Sequence, residues 1–287
     1  MLLSAKTIYN LKMIQSLQLY GLDQKPVAIK SLLNRFNISS VECCLFDLND
    51  LSFMEEIKAH DIHISGVHCS ILVWENLDQK SQQRLLDLSG GRIIIPAAVE
   101  ENSLRWPLSF FRRIPVLYQW LKRRIDGQKK RSFRKVLVGK EFSSLNYFRS
   151  MFWEKFSLEV NKLQTQWAMV GLHNHGLEFE SLEDGKVPFD ILIKNAGENV
   201  FFQFDITNCL LAGHDPEQII SKNISSISSY HVRIEGKASE QYYENLFTKY
   251  DHFFMNREIV VELAEKEKTD INHRLAWWKE KIKFSIS

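Results

Sequence analysis

Residues 168–179 read AMVGLHNHGLEF, a short apolar run followed at once by two histidines and a glutamate. A short, continuous apolar run is typical of a strand that is buried on both faces in a parallel sheet. The polar residues His173, His175 and Glu178 stand where this strand should end. The segment therefore predicts a buried parallel strand with titratable side chains at its carboxyl end.

Short β-type runs alternate with longer helical patterns along the chain. The predicted strands are 14–20, 40–46, 63–69, 92–99, 168–173, 200–206, 228–234 and 258–263, and the predicted helices are 26–36, 53–60, 79–88, 147–166, 216–223 and 271–283. This order predicts an α/β fold, a (β/α)8 TIM barrel that takes residues 1–287 as a single domain. No GxGxxG or GxxxxGK[ST] loop follows the first strand, which argues against an open nucleotide-binding sheet.

The composition is that of an ordinary globular protein. Of its 287 residues, 45% are hydrophobic and 25% are charged, which is enough apolar material for a core. The four cysteines form no CxxC pair, so neither a disulfide framework nor a zinc knuckle is indicated. The first residues lack a signal-peptide pattern, and no run approaches roughly eighteen apolar residues, so we expect no membrane span. Together these features predict a cytoplasmic protein.

Residues 104–140 form a basic, aromatic-rich segment, predicted as an insertion after strand four. Its basic residues concentrate in 122–135, whereas the net charge of the whole chain is only +2. One interpretation is an amphipathic helix with a solvated basic face. The alternatives are a lid over an anionic substrate or a surface that adheres to an acidic partner.

Acidic and histidine side chains also occur in the predicted strands six to eight, as Asp205, His231 and Glu262. The carboxyl ends of barrel strands converge on one site, so we expect these groups to meet the polar residues of strand five. Buried carboxylates need a neutralising partner, and one divalent cation would serve them all. Oxygen-rich ligation with an imidazole suits Mn, Mg, Co or Zn. Taken singly, His231 could instead be a core histidine, and Asp205 or Glu262 could be a helix cap or an ion-pair partner of Arg233. The first four strands show no comparable set of acidic and histidine residues.

Several motifs resemble those of the xylose isomerase-like TIM barrels, the sugar phosphate isomerase/epimerase family. They are GLHNHGLEF (171–179), QFDITNCLLAGHDPEQII (203–220), YHVR (230–233), VVEL (260–263), LQLYGLDQKPVAIKSLL (17–33) and SGVHC (65–69). The resemblance covers most of the chain and is weak over 70–145. It implies a divalent metal held by Glu, Asp, His and Glu, and it makes Asp205, His231 and Glu262 three of the ligands. We predict Glu178 as the fourth, with His173 as the alternative because the family's plain glutamate aligns there.

The resemblance also implies roles for the remaining residues, since family members move a proton between adjacent carbons through an enediolate. The predicted catalytic residues are Glu178, Glu262 and His175, and the predicted substrate-binding residues are His68, His173, Asn208 and Arg233. The family's His-x-Lys motif reads His231-Val232-Arg233 here. Because a guanidinium cannot act as a base near neutral pH, Arg233 should orient the substrate and not transfer protons.

The predicted function is that of a divalent-metal-dependent isomerase or epimerase acting on a small sugar, a ketose or a relative. One alternative is a dehydratase that eliminates water from a keto-sugar at the same site. Another is a non-catalytic binding protein whose metal site has decayed. A nucleic-acid role is disfavoured, because the abasic-site endonucleases of this barrel type need more histidines at strand ends. A homo-oligomer is left open.

Overall fold

Eight parallel strands close into a barrel in chain order, with β1 hydrogen-bonded to both β2 and β8. This computed structural model describes residues 14–19, 22, 24–45, 48–96, 149–163, 169–234, 237–254, 256–263 and 270–284. The strands are β1 Ile14–Gln18, β2 Ser40–Leu45, β3 Ile64–Cys69, β4 Arg92–Pro96, β5 Met169–His173, β6 Val200–Asp205, β7 Ile227–Ile234 and β8 Glu258–Leu263. The predicted (β/α)8 TIM barrel is confirmed.

Helices lie between the strands, as a right-handed βα repeat requires. They are α1 Pro26–Phe36, α2 Leu48–Ala59, α3 Ile71–Asn76, α4 Gln79–Ser89, α5 Ser150–Leu163, α6 Pro188–Asn195, α7 Ile206–Leu211, α8 Pro216–Asn223, α9 Lys237–Lys249, α10 Asp251–Phe254 and α11 Ile271–Phe284, with a 3-10 turn at Leu177–Phe179. No helix in these ranges is long and apolar enough to cross a membrane. The predicted insertion at 104–140 lies outside the described residues.

Two helices begin and end where the sequence places them. Helix α1 has Pro26 at its first turn, where the missing N–H costs nothing, and Asn37 ends it with a left-handed φ of 57°. Helix α8 starts at Pro216 after the capping Asp215. The prediction that strand six extends to Ile206 is wrong by one residue, because the Asp205 side chain accepts from the Asn208 N–H and starts α7.

The amino-terminal end of the barrel interior is closed by an ion pair that is mostly buried. The Arg92 guanidinium, from the first residue of β4, contacts the Glu258 carboxylate from the first residue of β8. It also donates to the Ser65 carbonyl at 2.9 Å and lies over the Phe201 ring, 4.7 Å from its centroid. Because this ion pair closes the amino-terminal end, the side chains that form a site lie at the opposite end, where the strands have their carboxyl ends.

Gly171 in β5 is tightly enclosed. A Cβ at this position would lie 2.6 Å from Phe201 Cζ and 3.0 Å from Ile94 Cγ1. Gly171→Ala should therefore overpack the barrel interior and lower the free energy of unfolding by about 1–3 kcal/mol, measured by urea denaturation. Gly176→Ala is the matched control, because nothing lies within 4 Å of its Cβ position and its φ of −76° suits any residue. Equal stability losses in the two variants would contradict this account.

Candidate metal centre

Carboxylate and imidazole groups from β5 to β8 meet at the carboxyl end of the barrel. The parallel register pairs Asp205 with His231 and Arg233 with Glu262. His231 Nδ1 lies 3.3 Å from Asp205 Oδ2 and 3.8 Å from Glu262 Oε2, and His173 Nε2 lies 3.6 Å from Asp205 Oδ2. The structure thus brings together His173 and the three residues that the resemblance implied as ligands.

Asp205 is held by two asparagines. Its Oδ1 accepts from the Asn208 N–H at 2.7 Å, and its Oδ2 accepts from Asn208 Nδ2 at 2.8 Å. The Asn174 side chain bonds both backbone groups of Asp205, donating to the carbonyl at 3.1 Å and accepting from the N–H at 2.9 Å. Asn208, which was predicted to bind substrate, therefore orients Asp205, and its Nδ2 also lies 3.3 Å from the Asn174 carbonyl oxygen.

His231 lies in a strongly negative environment. Burial alone would lower the pKa of its imidazole, but the carboxylates of Asp205, Glu262 and Glu42 raise that pKa above its usual value. Its buried Nε2 has no hydrogen-bond partner among the described residues, and its Nδ1 lies 3.3 Å from Asp205 Oδ2. A buried cluster of this charge attracts a cation.

The spacing of these groups fits a single divalent ion. His173, Asp205 and His231 each offer one ligand atom, and these atoms lie within 4.8 Å of one another. Around an ion that each ligand approaches at about 2.1 Å, neighbouring ligand atoms lie roughly 3 to 3.5 Å apart. The separations of 3.3 and 3.6 Å from Asp205 Oδ2 are close to this range. Small side-chain movements would close the site around an ion.

Two further buried residues, Glu42 and Gln203, belong to the cluster although the sequence did not single them out. Glu42 on β2 is fully buried; its Oε2 accepts from His68 Nε2 at 2.8 Å, and its Oε1 accepts from Gln203 Nε2 at 2.7 Å. Burial would raise the pKa of Glu42, but the attraction and hydrogen bond of His68 hold it below its usual value. We expected no comparable set of acidic and histidine side chains on the first four strands. Glu42 on β2 and His68 on β3 show that this expectation is wrong. His68, predicted to bind substrate, is the hydrogen-bond partner of Glu42.

A second set of possible ligand atoms, from Glu42, His68 and His231, also lies within 4.8 Å. It shares His231 with the first set, through the other ring nitrogen, which lies 4.0 Å from Glu42 Oε2. In this second set, however, Glu42 and His68 are already hydrogen-bonded to each other.

The remaining strand-five residues, His175 and Glu178, lie beside the cluster. Burial lowers the pKa of His175 to about 4, so its imidazole is neutral near pH 7 and is a weaker base than an ordinary histidine. Glu178 is fully buried; its Oε2 accepts from the His175 N–H at 2.8 Å, and burial raises its pKa to about 8. Glu178 is absent from both candidate ligand sets of the described residues. Its role as the fourth ligand stays a prediction.

Arg233 and Glu262 form an ion pair at the edge of the cluster. Arg233 Nε donates to Glu262 Oε2 at 2.9 Å, and its backbone N–H donates to Thr207 Oγ1 at 3.0 Å. The interpretation of Glu262 as an ion-pair partner of Arg233 is compatible with a place in the cluster, because its Oε2 also lies 3.8 Å from His231 Nδ1. Arg233 places a fixed positive charge beside any anion bound there.

These features define a closed (β/α)8 barrel with an acid–imidazole cluster at the carboxyl ends of its strands. No protein-family model matches the sequence, and no curated protein matches it. The solved structures that share the fold include a sugar phosphate isomerase/epimerase from Parabacteroides distasonis, with a TM-score of 0.61, 14% identity, and coverage of 100% of this chain and 98% of that one. The fold of the chain is therefore that of the sugar phosphate isomerase/epimerase barrels.

Two other structures with this fold are an epimerase and a probable dehydratase. The 3-keto-D-glucoside 4-epimerase from E. coli aligns with a TM-score of 0.56 and 11% identity over 94% of this chain and 99% of that one. The probable 3-DHS dehydratase from Bacillus anthracis aligns with a TM-score of 0.53 and 10% identity over 92% of this chain and 98% of that one. At these identities the likeness is one of fold.

Proposed function

We propose that this protein is a divalent-metal-dependent isomerase or epimerase of a ketose or related small sugar. The observation that carries the proposal is the convergence of His173, Asp205, His231 and Glu262 at the barrel mouth, with His231 Nδ1 at 3.3 and 3.8 Å from two carboxylates. The fold shared with sugar isomerases and epimerases supports the same class of substrate.

The bound ion would stabilise the negative charge that develops on substrate oxygens when a neighbouring C–H proton leaves. Glu262 is the proposed base that takes this proton, and Arg233 holds its carboxylate through the 2.9 Å hydrogen bond. Glu178 is the proposed acid, because burial raises its pKa to about 8 and keeps it protonated near neutral pH. His175, whose pKa burial lowers to about 4, is too weak a base to act as a second proton acceptor near neutral pH.

Arg233 and His68 are the proposed contacts for substrate oxygens. The guanidinium of Arg233 is partly exposed, with 24% of its side chain accessible, whereas the His68 side chain is 9% accessible. A planar guanidinium suits a carboxylate or a pair of hydroxyl oxygens. We therefore expect Arg233 to orient the substrate while Glu262 carries the proton.

Dehydration is the second candidate, because one solved structure with this fold is a probable dehydratase. The same proton removal can be followed by loss of a neighbouring hydroxyl as water instead of by reprotonation. A non-catalytic binder with a decayed site is the outcome expected if no ion is retained.

Incubation with a panel of ketoses in heavy water tests the proposal. We expect the metal-loaded protein to incorporate one deuterium into the product without loss of water, measured by mass spectrometry and NMR, because the removed proton is replaced from solvent. Glu262→Gln should slow this exchange by roughly 10²- to 10⁴-fold, since it removes the proposed base. The exposed Glu183→Gln is the control and should exchange at the wild-type rate.

Each other result selects a different conclusion. Products that have lost water would show that the protein is a dehydratase and not an isomerase. A metal-loaded protein that exchanges no proton on any ketose or keto-sugar would contradict both catalytic proposals, and a protein that retains no ion would favour the binder.

A further inference from the structure

A chain of buried hydrogen bonds runs from β2 through β6 to His173. Gln203 Nε2 donates to Glu42 Oε1 at 2.7 Å, and His173 Nδ1 lies 2.9 Å from Gln203 Oε1. Gln203 and Glu42 are fully buried, and His173 is 4% exposed. The chain is therefore shielded from water, which cannot replace its bonds.

The direction of this chain sets the tautomer of His173. A carboxylate only accepts hydrogen bonds, so the amide of Gln203 must turn its NH₂ group towards Glu42. Its carbonyl oxygen then faces His173, and Nδ1 of the imidazole must carry the proton that it donates. Nε2 is left with its lone pair, at 3.6 Å from Asp205 Oδ2.

We infer that His173 is the metal ligand contributed by β5, and that Gln203 and Glu42 are positioning residues that hold its imidazole with Nε2 free for the ion. This inference rests on the proposed metal-dependent function. A metal-bound histidine commonly donates its other N–H to an acceptor that fixes the ring. Gln203 is that acceptor here, and Glu42 orients Gln203.

Glu178 is not held by a comparable chain of side-chain hydrogen bonds among the described residues. Its Oε2 accepts from the His175 N–H at 2.8 Å, and its buried Oε1 has no hydrogen-bond partner in the described part of the chain. The Glu42 carboxylate, in turn, receives His68 on one oxygen and Gln203 on the other. Its oxygens are engaged in positioning the two imidazoles.

The inferred ligand set has two imidazoles and two carboxylates, from His173, His231, Asp205 and Glu262. Mg²⁺ prefers oxygen ligands and retains its waters, whereas Co²⁺ and Zn²⁺ bind imidazole well. The site should therefore bind Co²⁺ or Zn²⁺ at least about 100-fold more tightly than Mg²⁺.

Titration with Co²⁺, followed by visible absorption and by competition with a chelator, tests the inference. We expect one Co²⁺ per wild-type chain, and an affinity at least about 100-fold lower in His173→Ala, with a changed d–d spectrum because a nitrogen ligand is lost. Gln203→Met should lower the affinity by about 10- to 100-fold while all ligands remain. Glu178→Gln and Gln18→Met, the latter a buried amide paired in register with Glu42, are the controls and should bind Co²⁺ within about threefold of wild type.

A second measurement uses the unmodified protein, so it does not depend on how the variants fold. Nitrogen-15 NMR of the metal-free wild type should show His173 protonated at Nδ1. Protonation at Nε2 would overturn the inference, as would a Glu178→Gln variant that loses Co²⁺ while His173→Ala keeps it. In that case the proposed function would stand with a different ligand. If the wild type binds none of these ions, both the inference and the proposed function are wrong.

Discussion

Asp205→Asn is expected to release the bound ion and abolish turnover. Asp205 stands between the two imidazoles, 3.6 Å from His173 Nε2 and 3.3 Å from His231 Nδ1, so its charge acts on both. The amide keeps an oxygen to accept from the Asn208 N–H, so the start of α7 is preserved while the negative charge is lost. Metal affinity should fall more than about 100-fold, beyond the range for residues that only position a ligand. Metal content after purification without chelator and proton exchange in heavy water measure the two effects.

Asp215→Asn is the matched control for this substitution. Asp215 also begins a helix, accepting from the Glu217 N–H at 2.9 Å, but it lies on the exposed surface. Its variant should retain metal and activity. An Asp205→Asn protein that is both metal-replete and active would refute the proposed centre.

Glu258→Ala is expected to cause the largest loss of stability. It leaves the Arg92 guanidinium, only 17% accessible, at the closed end of the barrel without its carboxylate. Breaking a buried pair by removing one partner typically costs about 3–5 kcal/mol, because the remaining charge is uncompensated. The loss should appear as a lower urea midpoint for unfolding.

Glu183→Ala is the control for Glu258→Ala, because Glu183 forms a 3.2 Å pair with Arg149 in which both side chains are more than half accessible. An exposed pair contributes about 0–1 kcal/mol, so this variant should unfold close to wild type. If Glu258→Ala were as stable as Glu183→Ala, the ion pair would not be what closes the amino-terminal end of the barrel.

The sequence predicts the barrel well because its signals are local. The apolar runs place all eight strands to within a few residues, and Pro26 and Asn37 mark both ends of α1. Helices α3, α6, α7, α9 and α10 were not predicted. Helix α7 follows β6 directly, and its first residue, Ile206, continues the apolar pattern of the strand. Only the side-chain cap by Asp205 separates the two elements.

The site is predicted in part, because its most visible residues stand at strand ends. Asp205, His231 and Glu262 can be predicted as site residues from their positions in the strands alone. Glu42 does not, since one acid within an apolar strand can face either side of the sheet. Its partner Gln203 is 161 positions away, a pairing that only the closed barrel creates. For the same reason the choice between Glu178 and His173 depends on Gln203, whose contact with His173 is invisible in the sequence.

The Asn174 side chain separates the path of the loop after β5 from the hydrogen bonding of β6. Its side-chain amide substitutes for a peptide group, continuing the β5–β6 ladder by one rung while the main chain turns away into Leu177–Phe179. The path of the loop is thereby uncoupled from the placement of Asp205. Loop residues after Glu178 can be exchanged to accommodate new substrates, and the anchoring aspartate would keep its position.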